Sequence, residues 1–592
     1  RGFAVKFYTE EGNFDLVGNN MPIFFIQDAM KFPDLVHAVK PEPHNEIPQA
    51  ASAHDTFWDF ISNTPEAAHM IMWVMSDRAL PRSLRMMEGF GVHTFRFVNA
   101  ADKSCFVKFH WKPVLGVHSV AWDEAQNISG KDSDFHRRDL WEAIENGDFP
   151  QWEFGVQIVP EEDEHKYDFD LLDPTKLIPE ELVPVQRIGT MTLNRNPDNF
   201  FAETEQVAFH IGHVVPGIDF TNDPLLQGRL FSYTDTQLIR LGGPNFHEIP
   251  INRPIAPVNN NQRDGFSRQT INRGKTAHSP NIMAGGCPFQ AGKMQGGFTS
   301  FPEKISASKI RERSQSFFDH FSQAKLFFNS QSTPEQNHII DALSFELGKV
   351  ETIAVRERIL FMLSQIDDGL AAAVAYAIAV HVPKGLTVPL NQTIPADGDP
   401  EKYRSIVREG SLDKSPALSM TSSPKDSIVT RKIAILAADG VNAENVVQVK
   451  KAIESAGGMC EIIAPRLGFI SGINDQSLPV SKSFLTAASV LYDAVYVPGG
   501  LNSVATLEAD PDAVHFLNEA FKHCKAIATD EEALQVLRAT YFGRKIPENY
   551  SSESALMEGI IIGRGEAFTK NFIKAIAQHR FWDREKARKI PA

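Results

Sequence analysis

The sequence predicts an α+β chain with two kinds of architecture. An antiparallel β-barrel with a long wrapping arm and a helical domain comes first, and a C-terminal α/β domain with a doubly wound parallel sheet follows. Three observations predict this. Strand-like aromatic and β-branched runs recur through residues 1–165. From about 165 to 305 periodicity fades while prolines and asparagines multiply, and after residue 428 buried apolar strands alternate with helix-length segments.

At 592 residues the chain exceeds what one core accommodates and divides into domains. A content of 42% hydrophobic and 22% charged residues fits a globular protein and excludes intrinsic disorder. No apolar run reaches the roughly 18 residues of a membrane-spanning helix. A net charge of -15 opposes nonspecific binding to nucleic acid and points to a small, uncharged partner. Cys105, Cys287, Cys460 and Cys524 include no close pair, so neither a zinc cluster nor a disulfide framework is expected, and a reducing, cytoplasmic compartment is. The 42 phenylalanines suit a large core or the walls of a flat apolar cofactor pocket.

Phe3 to Tyr8 reads as a strand, with Glu11-Gly12-Asn13 as the turn of a hairpin. Gly18-Asn19-Asn20-Met21-Pro22 reads as a turn between apolar runs; alternatively, one Asn amide points into an apolar pocket walled by Phe24 and Phe32. His54–Ile61 and Ala67–Met75 carry helical periodicity. Strand signals return at His93–Val98, Ser104–Trp111 and Trp152–Val159, and closure into a barrel would remove their exposed edges. His93 and His110 fall within these strands at no metal-ligand spacing. The 165–305 stretch is too aromatic for a free loop and reads as an ordered arm, with the Gly-, Ser- and Asn-rich residues 272–300 its most mobile part.

Helices resume at 308–380, and six prolines mark 381–427 as a linker. Lys432–Ala437, Met459–Ala464 and Ala494–Val497 read as buried strands with a helix over 441–456.

Inside the arm, Arg229 and Tyr233 stand four residues apart in a helix-compatible run, which puts them on one helix face. A guanidinium beside a phenol favours the phenolate, a hard anionic ligand for ferric iron. The same spacing fits an ordinary amphipathic helix, and the pair gains force only from the surrounding blocks.

Those blocks are Arg1-Gly2-Phe3-Ala4-Val5-Lys6-Phe7-Tyr8, Val17-Gly18-Asn19-Asn20-Met21-Pro22-Ile23-Phe24-Phe25, Leu193-Asn194-Arg195-Asn196-Pro197 and Arg229-Leu230-Phe231-Ser232-Tyr233. Together they resemble the monofunctional haem catalases, in particular their large-subunit bacterial branch. That resemblance implies a catalase β-barrel over 1–165, a wrapping arm with the proximal haem ligand over 166–307, and an α-helical domain over 308–380. The linker over 381–427 and a flavodoxin-like domain over 428–592 complete it.

It also implies decomposition of hydrogen peroxide to water and dioxygen, protection against oxidative stress, a haem b or d cofactor with its iron, and a homotetramer. Tyr233 matches the proximal ligand, Arg229 the arginine that keeps it ionised, and Asn19 the amide that orients peroxide. Phe24 and Phe32 match pocket phenylalanines, His93 a histidine that hydrogen-bonds the proximal arginine, and Asp15 a channel carboxylate. His210 matches a histidine that some large-subunit enzymes bond covalently to the tyrosine. Gln237 stands where NADPH-binding catalases tend to have histidine, so bound NADPH is not expected.

The sequence departs from the family pattern in one respect: the distal-histidine segment belongs before Arg1, and no histidine precedes His37. Asn19 has no useful basicity. The expectation is a fragment with weakened haem binding and impaired turnover, its alternatives being an inactive scaffold or a haem peroxidase on the same barrel. The C-terminal domain resembles the glutamine-amidotransferase and DJ-1-like group. Its elbow, Ala526–Glu531, lacks the nucleophilic cysteine, and a structural or assembly role is expected.

Overall fold

The first hairpin forms where aromatic and polar residues alternate. Strand β1, Gly2–Thr9, pairs antiparallel with β2, Gly12–Asn19, from Gly2↔Asn19 to Thr9↔Gly12, and Gly12 takes the turn at φ +133. The computed structural model describes residues 1–257, 262–278, 280–283, 292, 297–304, 313–546, 558–587 and 590–592. Much of 272–300, expected to be the most mobile part, lies outside the described residues.

Strands β3 (Gly89–Phe90), β4 (Phe95–Val98), β5 (Ser104–Pro113), β6 (Gln151–Pro160), β7 (Gln186–Thr192) and β8 (Ile218–Asp219) complete an eight-stranded sheet. Its order is β1-β2-β3-β5-β4-β8, with β6 set against β5 and β7. Phe3 of β1 lies 5.4 Å from Trp111 of β5, and Phe7 of β1 lies 5.8 Å from Phe154 of β6, although β1 pairs with neither strand. The sheet therefore curls about an aromatic interior, as a barrel requires.

One expected strand starts late. β4 begins at Phe95, because the His93 N–H closes onto the Gly91 carbonyl at 2.8 Å and turns the chain before the ladder starts. His110 does lie in β5 and hydrogen-bonds Gln157 of β6 at 2.8 Å.

Helices α1 (Phe32–Val39), α2 (Asp55–Ser62) and α3 (Ala68–Val74) follow the hairpin, and α4 (Trp122–Lys131) and α5 (Phe135–Glu145) run between β5 and β6. The arm contains the helix α6, Pro224–Arg240. Its start is written locally: Asp223 accepts from the N–H groups of Leu225 and Leu226, and Pro224 occupies the first position, where no N–H is needed. Helices α7 (Ser322–Ser330), α8 (Thr333–Gly348), α9 (Ile353–Ser364) and α10 (Asp368–Ile378) bury Phe327, Ile339, Leu343, Ile359 and Leu363 in one core with Trp58 and Ile61 of α2.

The chain forms two units. The first comprises Arg1–Ala79, Met87–Pro113 and Trp152–Met420; the second comprises Leu80–Met86, Val114–Gln151 and Thr421–Ala592. The second is built on β9 (Lys432–Leu436), β10 (Met459–Ala464), the hairpin β11 (Gly468–Ser471) and β12 (Ser477–Val480), β13 (Lys482–Ser483), β14 (Ala494–Val497), β15 (Ala526–Thr529) and β16 (Ile560–Ile562). Six of these form a parallel sheet in the order β13-β10-β9-β14-β15-β16, a doubly wound arrangement.

The boundaries of this unit cut across the expected ones, since residues 80–86 and 114–151, read with the barrel, cluster here. Buried charges hold them. Glu124 pairs with Lys525 at 2.7 Å and with Arg580 at 3.0 Å, Arg82 with Asp493 at 2.7 Å, and Arg85 with Asp139 at 2.9 Å.

Candidate active site

On α6 the four-residue spacing does what helix geometry dictates: Arg229 Nη2 donates to the Tyr233 hydroxyl oxygen at 2.7 Å, with the guanidinium 4.9 Å from the ring centroid. The same Nη2 donates to the Val17 carbonyl of β2 at 3.0 Å and so fixes the helix against the hairpin. Around this pair lies a cavity of about 440 Å³ lined by Gly18, Asn19, Phe24, Ala29, Phe32, Pro33, Val92, His93, Leu225, Gly228, Arg229, Phe231, Ser232 and Tyr233. Six sequence-selected residues, Asn19, Phe24, Phe32, His93, Arg229 and Tyr233, meet there.

Two glycines permit the approach. A Cβ on Gly18 would run into the Phe90 carbonyl oxygen, and one on Gly228 would run into the Ala29 side chain. Asn19 ends β2, where its side-chain oxygen accepts from the Asn20 N–H at 2.8 Å and its NH2 faces no protein acceptor among the described residues.

His93 differs from expectation. Its hydrogen bond goes not to Arg229 but from Nδ1 to the Asp223 carboxylate at 2.5 Å. Burial pulls the imidazole below its ordinary value, against the attraction of Asp223. One Asp223 oxygen caps α6 while the other holds His93. Sequence reasoning missed Asp223, although Asp-Pro at a helix start is a legible capping signal.

Asp15 and His210 are not on the lining of this cavity. Asp15 is buried; it accepts from Lys6 Nζ at 2.7 Å, the His210 N–H at 2.9 Å and His213 Nδ1 at 2.8 Å. His210 Nδ1 accepts from the Gly212 N–H at 2.8 Å, its Nε2 meets the Thr234 hydroxyl at 2.7 Å, and its ring centroid lies 6.2 Å from that of Tyr233. Burial, then the neighbouring His213, pulls this imidazole down to about 4.

In the second unit, the turn after β15 carries Asp530, with no cysteine at this strand-to-helix elbow. Its carboxylate accepts from the Tyr496 hydroxyl at 2.8 Å, Asn445 Nδ2 at 2.8 Å and the Gly499 N–H at 2.7 Å. Cys524 is buried ahead of the strand. Among the described residues no His, Cys, Asp or Glu cluster could hold a metal ion.

The first unit's cavity thus combines flat apolar walls, a phenol joined to a guanidinium, and one amide. That donor set fits a planar apolar ring system carrying a hard metal ion, which defines a haem-protein type of site. Comparison with known proteins agrees. The family model described as Catalase matches residues 1–285, that described as Catalase-related immune-responsive matches 314–378, and that described as the C-terminal domain found in long catalases matches 429–586.

The chain is 56% identical over 589 residues to the catalase of Alkalihalophilus pseudofirmus, covering 99% of this chain and 81% of that protein. It is 56% identical over 597 residues to catalase HPII of Pseudomonas putida, covering 100% and 80%, and 55% identical over 588 residues to catalase-2 of Bacillus subtilis, covering 99% and 80%. The chain belongs to the catalase family, haem enzymes that decompose hydrogen peroxide to water and dioxygen, in the long form with the C-terminal domain.

Proposed function

We propose that the α6 cavity is the haem site of this catalase, where Tyr233 would hold the iron through its oxygen and Arg229 would hold that oxygen in place. The observation that carries this is the 2.7 Å contact between Arg229 Nη2 and the Tyr233 oxygen on the cavity wall. When bound, haem supplies the redox chemistry by which one peroxide is reduced to water and another oxidised to dioxygen.

The remaining work falls to side chains. Arg229 donates a charge-assisted hydrogen bond to the Tyr233 oxygen and fixes its position on the cavity wall. Asn19 offers its amide NH2 to a peroxide oxygen, and Phe24 and Phe32 exclude bulk water and larger substrates. His93, tied to Asp223, orients the helix and does not move protons in the cavity.

Several finer assignments belong to this proposal. The haem is of type b or d, which the pyridine haemochrome spectrum distinguishes. His210, whose ring lies 6.2 Å from that of Tyr233, is the candidate partner for a covalent link, to be sought as a cross-linked peptide by mass spectrometry. Asp15 acts on channel geometry through the 208–213 segment that it holds. NADPH is not used; Gln237 is already engaged, donating to the Phe209 carbonyl at 2.8 Å and accepting from Arg240 at 2.6 Å.

The assembly is a homotetramer. Exposed Ile188, Phe200, Phe201 and Ile239 on the arm give it apolar surface to cover. The location is cytoplasmic, a reading supported by the free thiols of Cys105 and Cys460. No helix among the described residues is long and apolar enough to cross a membrane.

The test is haem loading of the full chain beside Arg229→Leu. Loss of an interaction that tunes a metal ligand lowers activity by roughly 10–100-fold, read as oxygen release from peroxide. Unchanged turnover and an unchanged spectrum in Arg229→Leu would refute the assignment.

A further inference from the structure

The cavity wall contains a backbone turn that its own residue disfavours. Val92 has φ +67, and the His93 N–H donates to the Gly91 carbonyl at 2.8 Å. This is a left-handed γ-turn, a rare and strained conformation, centred on a β-branched residue, for which positive φ is a genuine outlier. The turn places Val92 and His93 on the lining of the cavity.

Two groups of β5 fasten it. The Gly91 N–H donates to the Phe109 carbonyl at 3.0 Å, which ties the entry of the turn to the sheet. Lys108 then reaches across, and its Nζ donates to the Val92 carbonyl at 2.7 Å from a buried position. Burial pulls this ammonium down to about 8, while Asp223 and Asp173 act in the opposite direction. A buried ammonium is a costly choice where an apolar side chain would pack. What it adds is a charge-assisted hydrogen bond in low-dielectric surroundings, aimed at the strained carbonyl.

We propose that Lys108 is a positioning residue of the haem pocket: by clamping the Val92 carbonyl it fixes Val92 in the cavity wall and aims His93 at Asp223, the cap of the helix bearing Arg229 and Tyr233. The functional half of this inference rests on the haem-site reading; the conformational half does not.

The experiment compares the full chain with Lys108→Met, Val92→Gly and the double variant. Glycine adopts the turn without strain, so it should remove the need for the clamp. Hydrogen exchange of the 89–95 segment, followed without haem, is expected to quicken in Lys108→Met and to show no further change when Lys108→Met is added to Val92→Gly. In the haem-loaded proteins, Lys108→Met should shift the absorption spectrum and lower kcat about tenfold with little change in KM. The same substitution should alter kcat by no more than about twofold in the Val92→Gly background.

Equal effects of Lys108→Met in both backgrounds, including failure to fold in both, would overturn the proposal, as would no effect on exchange in either. Faster exchange without any spectral or kinetic change would leave the clamp standing and refute its link to the haem pocket.

Discussion

Asp223 shows how much a single side chain does in this site. It sits 1% exposed, caps α6 and anchors His93 at 2.5 Å. Asp223→Ala removes the cap, a loss of about 0.5–2 kcal/mol, and leaves a buried imidazole without its acceptor, about 1–3 kcal/mol more. Asp223→Asn keeps the cap acceptor, so denaturant unfolding should rank the parent above Asn and Asn above Ala. Equal stability of the two variants would mean that the cap contributes nothing.

The pairing that sequence spacing could reach at this scale was Arg229 with Tyr233, because helix geometry brings i and i+4 together. The Asp223–His93 bond spans 130 residues and has no local signature. The sequence reading therefore set His93 beside Arg229 without the carboxylate that holds it.

At the scale of elements, the site depends on how closely α6 and β2 approach their neighbours. Gly18 lies beside the Phe90 carbonyl in the register that pairs Asn19 with Phe90, and there the obstacle is rigid backbone. Gly18→Ala should therefore destabilise by about 1–3 kcal/mol and displace Asn19. Thermal unfolding and haem affinity measure the two effects, and a variant as stable as the parent would show that the strand edge yields.

The helix α6 was readable as a helix-compatible run, but its boundaries were hidden in a proline-rich arm, where Asp223-Pro224 looked like one more break. The hairpin, α2, α8 and β9 were legible because each carries a full period of buried residues. His93 looked like strand because the β-formers Thr94, Phe95 and Phe97 follow it; the turn at Val92 comes from tertiary contacts of Gly91 and Val92 with Phe109 and Lys108 of β5.

Across the whole molecule, buried charge decides both architecture and pH response. Segments 80–86 and 114–151 belong to the second unit through ion pairs that join residues hundreds of positions apart, which no reading of local composition detects. Asp493 is held well below the usual carboxylate range by Arg82 and Arg431 despite burial. Asp493→Ala removes the carboxylate shared by two buried guanidinium groups, Arg82 and Arg431, and should cost roughly 3–5 kcal/mol of that unit's stability in denaturant unfolding; a loss under about 1 kcal/mol would show that water screens the cluster.

In the first unit, burial holds His69 and His110 neutral down to about 3. An unfolded chain protonates both below about 6.5, so acidification between 6.5 and 3 favours unfolding, by up to about 1.4 kcal/mol per pH unit for each histidine. The thermal midpoint should fall steadily over that range, and a flat profile would contradict neutral burial.

The most direct measurement is the absorption and electron paramagnetic resonance spectrum of the haem-loaded full chain beside its Tyr233→Phe variant. Ligation by Tyr233 predicts a high-spin ferric tyrosinate signature in the parent, lost in the variant together with oxygen release from peroxide. The same spectrum in both proteins would contradict it.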